Sequence, residues 1–143
     1  TWSRVKYVFI VSVVMMAVIL LFARELDILL LGDDVAETLG ADTRRIKLLI
    51  ILASTVLTGV VVSVSGVIGF AGLVVPHVMR GFVGSGHKHL IPMSILGGGL
   101  FAMIADLISR IIIAPEELPI GVIAAFFGAP FFLYLIRKGS VGR

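Results

Sequence analysis

Long uncharged runs alternate with short polar ones along this chain. Tyr7–Ala23 reads YVFIVSVVMMAVILLFA, and Val5 extends it. Leu48–Gly66 is a second apolar stretch, Phe70–Gly84 a third, Ile91–Ile113 a fourth and Ile120–Ile136 a fifth. The third is short and carries Pro76, His77 and Arg80; the fourth contains Asp106 and Arg110. About 20 apolar residues in a helix cross the hydrocarbon of a bilayer. The pattern therefore predicts an all-α, polytopic bundle with about five transmembrane spans, over 5–23, 48–66, 70–84, 91–113 and 120–136. All belong to one domain, 1–143, with a short helical segment at 31–42.

The residues at the joints agree with helix chemistry. Pro92 and Pro119 fall at the starts of the fourth and fifth spans, where a missing N–H removes no helix bond. Gly66, Gly69 and Gly72 cluster between the second and third spans, which suits a tight reversal. Pro130 predicts a kink in the last span, because it removes one backbone bond and clashes with the preceding turn.

Composition sharpens this picture. Of 143 residues, 59% are hydrophobic and only 15% charged, and the mean hydropathy is +1.14. A soluble domain is about half apolar and about a quarter charged, so lipid is the solvent for much of this surface. Cysteine is absent, which excludes a disulfide framework, a thiolate metal site and a dithiol redox motif. The net charge of +3 reads as basic loops on one membrane side rather than as a nucleic-acid footprint. With alternating spans, Arg24, Arg44, Arg45, Lys47, Arg80, Lys88, Arg137, Lys138 and Arg143 share one side, against Arg4, Lys6 and Arg110 on the other. The first side is then cytoplasmic, the C-terminus with it, and Glu116 and Glu117 face outward. The opening Thr1-Trp2-Ser3-Arg4 has neither an initiator Met nor a signal-peptide layout and reads as a cut inside a longer protein.

Arg24–Lys47 is the most informative polar segment. Asp34 can cap a helix, Glu37 follows at capping-box spacing, and Gly40 suits a left-handed stop. A helix of about two turns is predicted between them, with Val35, Ala36 and Leu39 as a small apolar face. Such a helix, slung between two spans, fits a groove in a cytoplasmic partner; a plain surface loop with one helical turn is the bland alternative.

Three runs carry a family likeness. Gly66–Arg80 (GVIGFAGLVVPHVMR) resembles the signature of the permease subunits of binding-protein-dependent ABC importers of the iron–siderophore, haem and vitamin B12 type. Glu117–Tyr134 (ELPIGVIAAFFGAPFFLY) is similar to the end of that family's last helix, and Leu31–Gly40 to its coupling loop. The resemblance implies a subunit of ten spans, of which these are the sixth to tenth, in a homodimer or pseudodimer around a central pathway. It implies cytoplasmic ATPase subunits bound at the coupling helices, and an extracytoplasmic binding protein that delivers the chelate. ATPase coupling then maps onto Asp33, Asp34, Ala36, Glu37 and Gly40, and docking of the binding protein onto Arg110.

Other candidates read more plainly. Asp106 and Arg110, four apart, can pair on one helix face. His77 reads as a packed side chain, and His87 and His89 as members of a solvated loop. Gly59, Gly66, Gly69, Gly72, Gly97, Gly98, Gly99 and Gly128 read as sites of close helix packing, with Gly66, Gly69, Gly72, Pro76, Gly128 and Pro130 as packing or hinge positions. No GxxxxGK[ST] phosphate loop is present, nor a catalytic constellation, so ATP hydrolysis falls to a partner; no cofactor or metal is called for. The rival reading is a secondary transporter or channel subunit with Asp106 and Arg110 in an ion path. A purely structural membrane subunit is a third. Co-purification of an ATPase separates the first reading from these.

Overall fold

The computed structural model of the protein describes residues 2–116 and 118–141. Thr1, Glu117 and Arg143, expected at a cut terminus, an outward turn and a basic tail, lie outside the described residues. Among the described residues all regular structure is helical. The chain forms two compact units: Thr1–Gly66 with Ser85–His89, and Val67–Gly84 with Leu90–Arg143.

In the first unit, α1 (Trp2–Leu21) packs along α4 (Thr43–Ser65), and the short helices α2 (Ala23–Leu29) and α3 (Asp33–Thr38) lie between them in sequence. The first span differs from its expected bounds at both ends. It begins at Trp2 and takes in Arg4 and Lys6, and it stops at Leu21. There the Phe22 N–H turns back to the Ile19 carbonyl at 3.2 Å, a tightened i→i−3 bond that closes one helix before α2 opens the next. So the polar segment expected from Arg24 is helical from its first residue.

The second span also starts early, because Asp42 caps α4: its Oδ1 accepts the Arg45 N–H at 3.1 Å. Gly66 closes α4 with φ +75°, a conformation open to glycine at little cost. Inside α4 the hydroxyls turn onto their own helix. Thr55 donates to the Ile51 carbonyl at 2.7 Å, Thr58 to Ser54 at 2.8 Å and Ser65 to Val61 at 2.9 Å. That removes a polar group from lipid without needing a partner.

The second unit contains α5 (Ala71–Val83), most of α6 (His87–Ile112) and α7 (Ile120–Val141). Four helices, α1, α4, α6 and α7, are long and apolar enough to cross a membrane. The expected third stretch, 70–84, is α5, an apolar helix of 13 residues, about 20 Å against a core of about 30 Å. Left-handed residues stop it at both ends, Phe70 at φ 63° and Gly84 at φ 80°. Pro92 is also placed differently: α6 starts at His87, so this proline lies inside the helix. Pro119 does stand at the start of α7, its carbonyl accepting the Val122 N–H at 2.9 Å. Pro130 lies within α7, which is helical on both sides of it.

Aromatic contacts tie α7 to α5. Phe70 meets Phe132 at 6.3 Å between ring centroids, and the His77 ring stands edge-on to Phe131 at 5.9 Å. His77 thus has an aromatic neighbour on α7 but remains exposed rather than packed as expected. The glycines separate sharply. A Cβ at Gly128 would overlap the Phe70 side chain, and one at Gly121 the Val67 carbonyl oxygen. At Gly97 it would press on Met79 and Val75 at 3.1 and 3.2 Å, while at Gly66, Gly69, Gly72, Gly98 and Gly99 it would meet nothing within 4 Å. Gly128→Ala should therefore destabilise by about 1–3 kcal/mol, whereas Gly98→Ala should be neutral or stabilise by up to about 1 kcal/mol. Thermal unfolding in detergent measures both, and equal midpoints for the two variants would refute this packing account.

Candidate coupling and docking sites

The expected coupling residues lie on and around α3, in the first unit. Six residues make a weak helix alone, so its ends matter. Gly32, at φ 105°, occupies the N-cap position, and its carbonyl accepts the Ala36 N–H at 3.0 Å. Asp34, expected to cap, is one turn-position inside and exposed. Glu37 does not reach back to it as a capping box requires. It instead accepts the Thr43 hydroxyl at 3.0 Å. The two first-turn carboxylates, Asp33 and Asp34, still complement the positive end of the helix dipole.

The expected left-handed stop is present. Gly40 has φ 85°; its N–H bonds the Glu37 carbonyl at 2.9 Å, and the Ala41 N–H bonds the Ala36 carbonyl at 3.0 Å. This pair of bonds is a Schellman motif, which consumes the carbonyls the short helix would otherwise leave open.

Two side-chain ties strap α3 to α4. Asp33 pairs with Lys47 at 2.5 Å near one end, and Glu37 takes the Thr43 hydroxyl near the other. Residues 33 and 37, and likewise 43 and 47, are four apart on their helices, so each pair shares a face and the ladder runs antiparallel. Beneath it Ala36 is fully covered, with Ala23, Thr43 and Ile46 also buried. The predicted apolar face is therefore divided. Ala36 points into the unit, while Val35 is 44% and Leu39 63% exposed, with Leu31 also open. Glu37, Gly40, Ala41, Asp42, Thr43 and Arg44 line a shallow hollow of about 380 Å³ beside them.

One tie escapes sequence reasoning. The Asp27 Oδ1 accepts both the His87 backbone N–H at 2.8 Å and its ring Nδ1 at 2.6 Å. A carboxylate only accepts, so Nδ1 carries the proton. His87 was expected in a solvated loop; its side chain is instead only 16% exposed. Burial pushes the Asp27 pKa up, but the hydrogen bonds from the His87 main chain and ring, with the ring's charge, more than offset this and leave it below the ordinary carboxylate value. A depressed pKa means that the tie stabilises fully above about pH 4 and is lost only as pH falls through the lowered value. The separation of 60 residues hides this pair from local pattern.

In the second unit, Asp106 and Arg110 pair as their spacing predicts. Arg110 Nε donates to Asp106 Oδ2 at 2.9 Å and Nη2 to Oδ1 at 3.3 Å, a two-pronged grip. Arg110 sits in the last turn of α6 with its side chain 58% exposed. Between them in sequence, Ser109 is buried; its hydroxyl donates to the Asp106 carbonyl at 2.7 Å, and its own carbonyl accepts the Leu118 N–H at 3.4 Å. The guanidinium is thus held on a stiff helix end. Among the described residues no cluster of His, Asp and Glu is arranged to hold a metal.

Comparison with known proteins places this arrangement. The chain is 46% identical over 140 residues to the cobalamin import system permease protein BtuC of Halobacterium salinarum, covering 98% of this chain and 37% of that protein. It is 47% identical over 119 residues to the hemin transport system permease protein HmuU of Yersinia pestis, covering 83% and 36%. The Fe(3+) dicitrate transport system permease protein FecD of Escherichia coli matches at 42% over 137 residues, covering 96% and 43%. The chain thus spans roughly two fifths of the length of these relatives. A solved structure described as a metal-chelate type ABC transporter in an inward-facing conformation superposes with a TM-score of 0.88 at 30% identity, over 96% of this chain and 44% of that one. The sequence model of the FecCD transport family matches residues 1–138, and the chain belongs to that family.

Proposed function

We propose that this chain is the C-terminal part of the membrane-spanning permease subunit of a binding-protein-dependent ABC importer. Its cargo is a metal chelate, the class that the relatives' names share: cobalamin, hemin and ferric dicitrate. It contributes no ATPase of its own and works with a second permease subunit, cytoplasmic ATPase subunits and an extracytoplasmic substrate-binding protein. The observation that carries the reading is α3, a short helix strapped to α4 with Val35 and Leu39 turned outward, in a chain of this family.

In this reading the C-terminus and the 31–42 segment are cytoplasmic, as the basic residues around them favour. The ATPase takes Val35 and Leu39 into a groove, a helix-in-groove contact. Asp33, Ala36, Glu37 and Gly40 keep the helix in shape, and Asp34 faces the partner beside the apolar pair. ATP binding moves the ATPase dimer, the segment moves with it, and the attached helices change access to the pathway. At the other face, Arg110 docks an acidic residue of the binding protein, with Asp106 setting the direction of its guanidinium. Of the packing and hinge positions, Gly128 has an immediate neighbour that demands a small residue, Phe70. Gly66 ends a helix by its positive φ. Gly69, Gly72, Pro76 and Pro130 keep the hinge role as a proposal.

Two experiments test the reading. Leu39→Asp puts a carboxylate where the groove is apolar, and should weaken co-purification of the ATPase by about tenfold or more while membrane insertion persists. Gly40→Pro, which cannot hold φ 85°, and Asp34→Lys should uncouple ATP hydrolysis from uptake. Full ATP-driven uptake by all three variants would remove the coupling role. Separately, Arg110→Glu should abolish binding-protein-dependent uptake, and reversing one acidic residue on the binding protein to Lys should restore it. Undiminished uptake by Arg110→Glu would end the docking assignment.

A further inference from the structure

We propose that Asp27 and His87 are positioning residues that latch the coupling segment to the start of α6, so that displacement of α3 is passed to that helix. The inference rests on the coupling role proposed above and extends it to two residues outside the 31–42 segment. It begins from an unusual cap. His87 is the first residue of α6, so its N–H has no partner within its own helix. That donor is taken by a carboxylate 60 residues earlier, and the same oxygen also takes the ring Nδ1. One atom therefore holds both the backbone and the side chain of His87. The negative charge also lies where the dipole of a 26-residue helix favours it.

The position of Asp27 gives the cap a mechanical meaning. It lies on α2, seven residues long, which packs against both α3 and α4. α2 continues into α3 through the short Leu30–Gly32 link, with Leu30 and Leu31 bonded back to the α2 carbonyls of Leu26 and Ile28 at 3.2 and 3.0 Å. α3 in turn is strapped to the first turns of α4 by Asp33–Lys47 and Glu37–Thr43. The small α2–α3 body is thus joined covalently to the end of α1, by two side-chain ties to the start of α4, and by Asp27 to the start of α6. Asp27 is the polar tie that joins the α6 end of this set to the body. Gly86, at the N-cap position of α6, has no side chain to supply a cap of its own. Here the cap comes from the body that the partner moves.

The test uses the complete importer, with its ATPase and binding protein, in proteoliposomes, reading chelate uptake and ATP hydrolysis together. Asp27→Ala and His87→Phe should each raise the ATP hydrolysed per chelate imported about tenfold, the scale of a coupling free energy between sites, with assembly of the complex unchanged. His87→Asn, whose side-chain amide puts a donor near the position of Nδ1, should retain most of the coupling. The double variant Asp27→Ala/His87→Phe should be no worse than either alone, as partners in one interaction behave. An unchanged ratio in the single variants overturns the latch, as does a fall in uptake that merely tracks loss of assembled complex. Absence of ATP-driven chelate uptake by the unsubstituted complex overturns the function reading itself, and the latch with it.

Discussion

Six residues cannot hold a helix in water without help, because the first turn fixes several residues for one hydrogen bond. α3 is such a helix, and nearly everything distinctive in the first unit is arranged around keeping it formed. Gly32 opens it, the Schellman pair at Gly40 and Ala41 closes it, and fully covered Ala36 seats it. Asp33 and Glu37 fasten it at both ends to Lys47 and Thr43. Since those two carboxylates turn toward α4 and Ala36 faces inward, Val35 and Leu39 are left facing out. The outward apolar pair is therefore a consequence of how the inner face is satisfied.

The same constraint, that each polar group finds a partner, governs the apolar helices by a different route. In hydrocarbon an unmet hydroxyl is costly, and α4 carries several. They bond to carbonyls of their own preceding turn, so the helix remains self-contained whatever later packs against it. Asp106 and Arg110 meet the requirement as a pair on one helix. The contrast with α3 is informative: long helices satisfy their polar residues internally, whereas the short one needs neighbours.

This difference also explains what was legible in the sequence. Interactions within one helix or turn could be read from spacing: the helical regions themselves, the left-handed Gly40, the Asp106–Arg110 pair and Pro119 at the head of α7. Interactions across the chain could not. Asp34 and Glu37 had the spacing of a capping box, yet Lys47 and Thr43 recruit Asp33 and Glu37 instead. Likewise Asp42, not marked out by pattern, caps α4. His87 looked like a loop residue because nothing local reveals Asp27. The bounds of α5 lie within one residue of the expected 70–84 at each end, although hydropathy does not register backbone handedness, and a left-handed phenylalanine at position 70 is a rare event in any sequence.

The ties that hold α3 are individually modest. Asp33–Lys47 is about half exposed at both partners, and exposed ion pairs contribute at most about 1 kcal/mol. The bond between Thr43 and Glu37 is also partly open, and of the same order as other modest hydrogen bonds, about 1 kcal/mol. By contrast, unwinding α3 would break its two Schellman bonds, release its carbonyls and expose Ala36 together. Each strap alone is thus smaller than the concerted loss that unwinding α3 would bring.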